Sequence, residues 1–137
     1  MTIAIFGSPY PEHFSKYIQH LIKKLESEHI KIIVEEKFNT FLQNNIRFKN
    51  AVTTFNSHET LGNNVDFLFS IGGDGTLLKA VTYVRGSNIP ILGINTGRLG
   101  FISSISAGQI DDAVNDILKG NYQINERALL ELNTDKK

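Results

Sequence analysis

An α/β fold, a mostly parallel sheet flanked by helices, is predicted by three features of the sequence. Short apolar runs of strand length alternate along the chain with amphipathic stretches of helical period. A glycine-rich turn, Gly72-Gly73-Asp74-Gly75-Thr76, joins one of these runs to one of these stretches. The 137 residues, 41% of them hydrophobic, suffice for one domain with its own core.

Residues 2–6 (Thr2-Ile3-Ala4-Ile5-Phe6) read as the first strand and Gly7-Ser8-Pro9 as the turn after it. A helix is predicted over about residues 11–28, because Phe14, Tyr17, Ile18, Leu21, Ile22 and Leu25 form one apolar stripe at helical spacing. Residues 29–34 read as a second strand. Residues 35–48 fit a short helix through Phe38, Phe41, Leu42 and Ile46, whereas the polar, Asn-rich residues 49–64 carry no readable element. Residues 65–69 (Val65-Asp66-Phe67-Leu68-Phe69) read as a buried central strand, and residues 77–83 as the helix after the glycine-rich turn. Gly86 is expected to end that helix, with Arg85 favourable beside the carbonyl end. Residues 89–94 form the next strand, with Pro90 at its start, where no ladder N–H is lost. A second glycine-containing loop, Asn95-Thr96-Gly97-Arg98-Leu99-Gly100-Phe101, leaves its end. The helix over about residues 107–119 has Asp111 and Asp112 in its first turn, Lys119 in its last and Gly120 just beyond. Residues 122–132 alternate loosely and read as a further strand, either an edge strand of this same sheet or one that leads to a second domain; residues 1–120 are expected to form one unit and residues 121–137 the start of another.

In such sheets ligands bind beyond the carboxyl ends of the strands. The loops after residues 69 and 94 both leave strand ends, and they share one cleft if their strands are neighbours. A glycine-rich strand-to-helix turn suits phosphate, because helix N–H groups and the helix dipole favour negative charge there. Asp74 is the odd residue, since a carboxylate repels phosphate unless it has other work. It can share a metal ion with the phosphate or accept a proton from an attacking hydroxyl. The plain alternative is that it caps the following helix. The Gly7-Ser8 turn is a weaker anion signal. His13 and His20 have no Cys or acidic partner at metal spacing and read as surface residues, and no metal-ligating set is assigned.

Lys+Arg and Asp+Glu are both 14, so there is no global attraction to nucleic acid or to an anionic membrane, and any anion site is local. The sequence has no cysteine, hence no disulfide and no thiolate chemistry. No run is long enough to span a bilayer, and residues 2–6 lack a basic leader, so no signal peptide and a cytoplasmic location are expected.

Neither G-x-G-x-x-G nor G-x-x-x-x-G-K-[ST] is present. Gly72-Gly73-Asp74-Gly75-Thr76 instead resembles the signature of the superfamily that joins NAD kinases, lipid kinases and 6-phosphofructokinases. Asn95-Thr96-Gly97-Arg98-Leu99-Gly100-Phe101 resembles the NTGxLGF signature of NAD kinases, and the Glu126-Arg127-Ala128-Leu129-Leu130 segment is also similar. The resemblance covers nearly the whole chain and is weakest over residues 35–64. It implies a Rossmann-like N-terminal domain of an enzyme that transfers the γ-phosphoryl group of ATP to the 2′-hydroxyl of the adenosine ribose of NAD, giving NADP. It implies Asp74 as general base, and Gly72, Gly73, Gly75 and Thr76 along the phosphates. Asp74 and Gly75 would also touch the dinucleotide, with Lys79 beside it, Asn95 in the second loop and Phe101 near the adenine. Mg²⁺ would neutralise the phosphates, and the full-length enzyme would be a homo-oligomer.

The family's second, β-rich domain supplies an Asn-Glu pair and further groups that hold NAD. Asn125-Glu126 precedes the Arg-x-Leu-Leu segment, too early to be that pair. The chain is therefore expected to be inactive alone. Two other readings remain: a lipid kinase of the same superfamily, which should lack the second signature, and a non-catalytic nucleotide-binding domain.

Overall fold

The computed structural model describes residues 1–97 and 104–122. Five strands, β1 (Thr2–Gly7), β2 (Lys31–Glu35), β3 (Thr53–Phe55), β4 (Phe67–Gly72) and β5 (Ile91–Asn95), form one sheet in the order β3-β2-β1-β4-β5. Every pairing is parallel. The helices are α1 (Ser15–Ser27), α2 (Glu36–Gln43), α3 (His58–Leu61), α4 (Asp74–Val84) and α5 (Ile110–Lys119).

Alternation along the strands separates two cores. Ile3 and Ile5 of β1, with Phe67, Phe69 and Ile71 of β4, face α1, α2 and α5 through Ile18, Leu21, Ile22, Phe38, Leu42, Ile110 and Val114. Ala4, Phe6 and Leu68 point the other way and meet Leu61 of α3 and Ala80 and Val84 of α4. Right-handed crossovers account for the division: β1 to β2 to β3 moves one way across the sheet, β4 to β5 the other, so the connecting helices cover opposite faces. All six residues of β4 are buried, because it lies between two strands and beneath helices on both sides.

Several boundaries move from their predicted places. β2 starts at Lys31, because His29 takes φ 58° and Ile30 N–H donates to the Leu25 carbonyl at 3.1 Å, closing α1. Residues 70–72 extend β4, and Gly75 and Thr76 belong to the first turn of α4, so the glycine-rich turn is far tighter than the sequence implies. Arg85, φ 45°, ends α4 in place of Gly86. Its N–H donates to the Val81 carbonyl at 2.8 Å and its Nε to the Thr82 carbonyl at 3.1 Å, which stabilises the turn without a glycine. Gly120 behaves as expected, with φ 76° just past α5.

Residues 49–64 contain β3 and α3, neither of them predicted. β3 has three residues, two of them exposed threonines on the sheet edge, so it shows no apolar run. α3 is one turn held by a capping box, in which Ser57 Oγ accepts from Thr60 N–H at 3.1 Å and Thr60 Oγ1 accepts from Ser57 N–H at 2.9 Å. Tyr122 sets its ring edge-on to Phe67 at 5.2 Å. The rest of the strand predicted over residues 122–132 lies outside the described residues, as do residues 98–101 of the second loop.

Candidate functional site

The strand order reverses between β1 and β4, and at such a point the loops on either side diverge and leave a crevice beyond the carboxyl edge. Three chain segments meet there. Gly7 pairs with Ile71, and Gly72 pairs with Asn95. Ser8 N–H donates to the Ile71 carbonyl at 3.1 Å, and Thr96 N–H to the Gly72 carbonyl at 3.3 Å. The two glycine loops are thus neighbours on adjacent strands, and the Gly7-Ser8 turn joins them from the other side.

Gly72 has φ 154°, a conformation that side chains of L-residues rarely adopt. A Cβ there would run into Thr76 Oγ1, and would meet Thr76 Cβ at 2.8 Å and Ser8 Oγ at 2.9 Å. Gly72 therefore folds the loop. Gly75 has another character. It lies in the first turn of α4 with no positive φ, and an added Cβ would meet nothing within 4 Å among the described residues. A helix would be better served there by alanine. Gly73, the residue preceding α4, is equally open. Bare backbone is thus presented to solvent at the start of an eleven-residue helix, where the first N–H groups lack i−4 carbonyls and the dipole attracts anions.

Asp74 is the first residue of α4 and half-buried. Thr76 is half-buried too, and its Oγ1 lies 2.8 Å from Ser8 Oγ. Lys79 is exposed and lies four residues past Gly75, on the same side of the helix. Asn95 is buried at the end of β5, and its Oδ1 accepts from Gly97 N–H at 2.8 Å, so its side chain shapes the second loop. Of the sequence-predicted residues, Gly72, Gly73, Asp74, Gly75, Thr76, Lys79 and Asn95 fall on this edge; Phe101 lies outside the described residues.

Two residues at this edge are not singled out by the sequence. Ser8 figures there only as part of a weak turn, and its pairing with Thr76 spans 68 residues. Glu35, at the carboxyl end of β2, is buried and accepts from Lys37 N–H at 3.0 Å and Phe38 N–H at 2.9 Å, capping α2. A Glu before an amphipathic stretch is a cap signal, but a less common one than Ser or Asp. The Tyr83 ring packs on Phe6 and Phe55, and burial, then the Glu35 charge, raises the Tyr83 pKa. His20 is exposed, with its Nε2 2.7 Å from Asp111 Oδ1. Among the described residues no group of three or more His, Cys, Asp and Glu is placed to hold a metal ion.

A parallel sheet with an open, glycine-lined helix N-terminus at its switch point defines an α/β protein of the nucleotide-binding class. Residues 3–122 match the family described as the ATP-NAD kinase N-terminal domain, and the chain belongs to that family. It is 39% identical to an NAD kinase of Cytophaga hutchinsonii, over 100% of this chain and 47% of that protein. It is 42% identical to an NAD kinase of Flavobacterium psychrophilum, over 96% of this chain and 45% of that protein. The chain thus spans less than half the length of these curated relatives. The fold is similar to that in a crystal structure of yeast NADH kinase complexed with NADH, with a TM-score of 0.72 at 19% identity, over 88% of this chain and 38% of that one.

Proposed function

We propose that this chain supplies the phosphate-binding and catalytic edge of an NAD kinase, which transfers the γ-phosphoryl group of ATP to the 2′-hydroxyl of the adenosine ribose of NAD. The observation that carries this reading is Gly75, a helical glycine whose added Cβ would meet nothing within 4 Å among the described residues, at a helix N-terminus beside Asp74. Close approach of a phosphate to the backbone gives that glycine a reason.

In this reading, backbone N–H groups of residues 73–76 hold the phosphates, and Thr76 adds a hydroxyl. Asp74 accepts the proton of the ribose hydroxyl as that oxygen bonds to the γ-phosphorus and the bond to the β-phosphate oxygen breaks, releasing ADP. Lys79 lies beside the dinucleotide, Asn95 shapes the second loop from the end of β5, and Phe101, outside the described residues, would pack near the adenine. Mg²⁺ bound with ATP would neutralise phosphate charge. Asp74, at the start of α4, offers the carboxylate oxygen type that suits Mg²⁺. Residues 1–120 would form this unit and residues 121–137 lead into a second one that completes the NAD site. The whole enzyme would be a cytoplasmic homo-oligomer. No helix among the described residues is long and apolar enough to cross a membrane.

The test is a coupled NADP assay on the gene product that carries this chain, with ATP, Mg²⁺ and either NAD or diacylglycerol as acceptor. NADP formation without lipid phosphorylation is expected. Binding of ATP with no phosphoryl transfer to either acceptor would reduce the role to a non-catalytic nucleotide-binding domain.

A further inference from the structure

We propose that Ser8 is a positioning residue for the nucleotide phosphates, acting through the Thr76 hydroxyl. The inference rests on the reading of the Gly72–Thr76 loop as a phosphate loop, and it adds a residue from a different strand end.

The geometry is a three-part contact. Ser8 Oγ and Thr76 Oγ1 are 2.8 Å apart and partly buried. Both press on the space above Gly72 that a Cβ would fill. Ser8 N–H donates to the Ile71 carbonyl at 3.1 Å, which locks the Ser8 backbone to the last residues of β4. The hydroxyl of Ser8 is therefore fixed relative to the loop, although it comes from the end of β1.

Hydroxyl chemistry then sets the direction. Each hydroxyl has one proton and two acceptor positions. When Ser8 donates to Thr76 Oγ1, the Thr76 proton is left to point elsewhere, and an anion at the N-terminus of α4 is the acceptor that favours it. A chain from Ser8 to Thr76 to phosphate strengthens each bond in it. A threonine in the first turn of a helix otherwise turns its hydroxyl toward nearby backbone. Ser8 holds it away from that competition. It also ties β1 to the N-terminus of α4 across the crevice, so the phosphate site is built from both sides of the switch point.

The test measures ATP affinity, with Mg²⁺, by calorimetry on the gene product that carries this chain and on its Ser8→Ala, Ser8→Thr, Thr76→Val and Ser8→Ala/Thr76→Val variants. Thermal midpoints without nucleotide are recorded beside it. Loss of one hydrogen bond predicts affinity about three- to tenfold weaker in Ser8→Ala. Ser8→Thr should restore it, and the pair should be no weaker than Thr76→Val alone. Ser8→Cys, similar in size without the hydroxyl, serves the same purpose if the alanine variant does not fold. A lowered midpoint with unchanged affinity in Ser8→Ala would overturn the proposal and leave the phosphate loop intact. Fully additive losses in the pair would also overturn it. No ATP binding by the unmodified gene product would overturn both this inference and the reading on which it rests.

Discussion

Gly72 and Gly75 lie three residues apart and answer to different demands. Gly72→Ala places a side chain at φ 154° against Thr76 and Ser8. The backbone strain alone is about 1–3 kcal/mol, so the thermal midpoint should fall by several degrees. Gly75→Ala meets nothing within 4 Å among the described residues and lies in a helix. It should stabilise the chain by about 0.5–1 kcal/mol, yet weaken ATP binding. A thermal scan with and without ATP checks both, and a Gly75→Ala variant that gains stability with undiminished ATP protection would remove the ligand from this position. Asp74→Asn keeps the shape but cannot take the ribose proton. In the active enzyme it should lower kcat on the order of 10²-fold or more with little change in KM for ATP. Steady-state kinetics decide this, and near-normal turnover would exclude Asp74 as the base.

At the scale of elements, α2 depends on one side chain. Both Glu35 carboxylate oxygens accept helix N–H groups at a buried position. Glu35→Ala leaves those donors without the carboxylate and should cost about 1–3 kcal/mol. Glu35→Gln retains one accepting oxygen and should cost less. The same glutamine variant removes the charge that helps to raise the Tyr83 pKa. A phenolate absorbance titration should then show one tyrosine ionising at lower pH than in the unmodified chain. An unchanged titration would mean that burial alone sets that proton. α4 shows the opposite arrangement: its C-terminus is turned by Arg85 at φ 45°, and side-chain bonds take over what a glycine would have supplied.

For the whole molecule, the two sheet faces each bury part of a tyrosine. Burial raises Tyr10 in the α1 and α2 core, and Tyr83 of α4, packed on Phe6 and Phe55, is raised by burial and then by Glu35. Both groups are held neutral in the folded chain to higher pH than in the unfolded one. Their contribution is fully present below the unfolded value, about pH 10, and is lost as pH rises through the raised folded values, because the unfolded chain then releases protons first. Thermal stability should therefore drop steeply above about pH 10. Tyr10→Phe and Tyr83→Phe together should flatten the drop, and an equally steep decline in that pair would assign it to other groups.

The periodicity of single segments settled β1, α1 and α5 from the sequence alone, since an apolar stripe at residues 14–25 has one efficient way to be buried. The strand–glycine–helix order located the turn between β4 and α4 for the same local reason. Strand order, β3-β2-β1-β4-β5, is a matter of long-range pairing and came only with the tertiary structure. So did β3, whose two exposed threonines carry no burial signal because its sheet edge is solvated. The glycines looked equivalent as letters. The packed structure separated them, because a φ of 154° and the nearness of Ser8 and Thr76 tie Gly72 to the fold, while a Cβ at Gly75 would meet nothing within 4 Å among the described residues. The contact between Ser8 and Thr76 joins residues 68 apart, a distance over which local pattern carries no information and only the closure of the sheet brings two hydroxyls together.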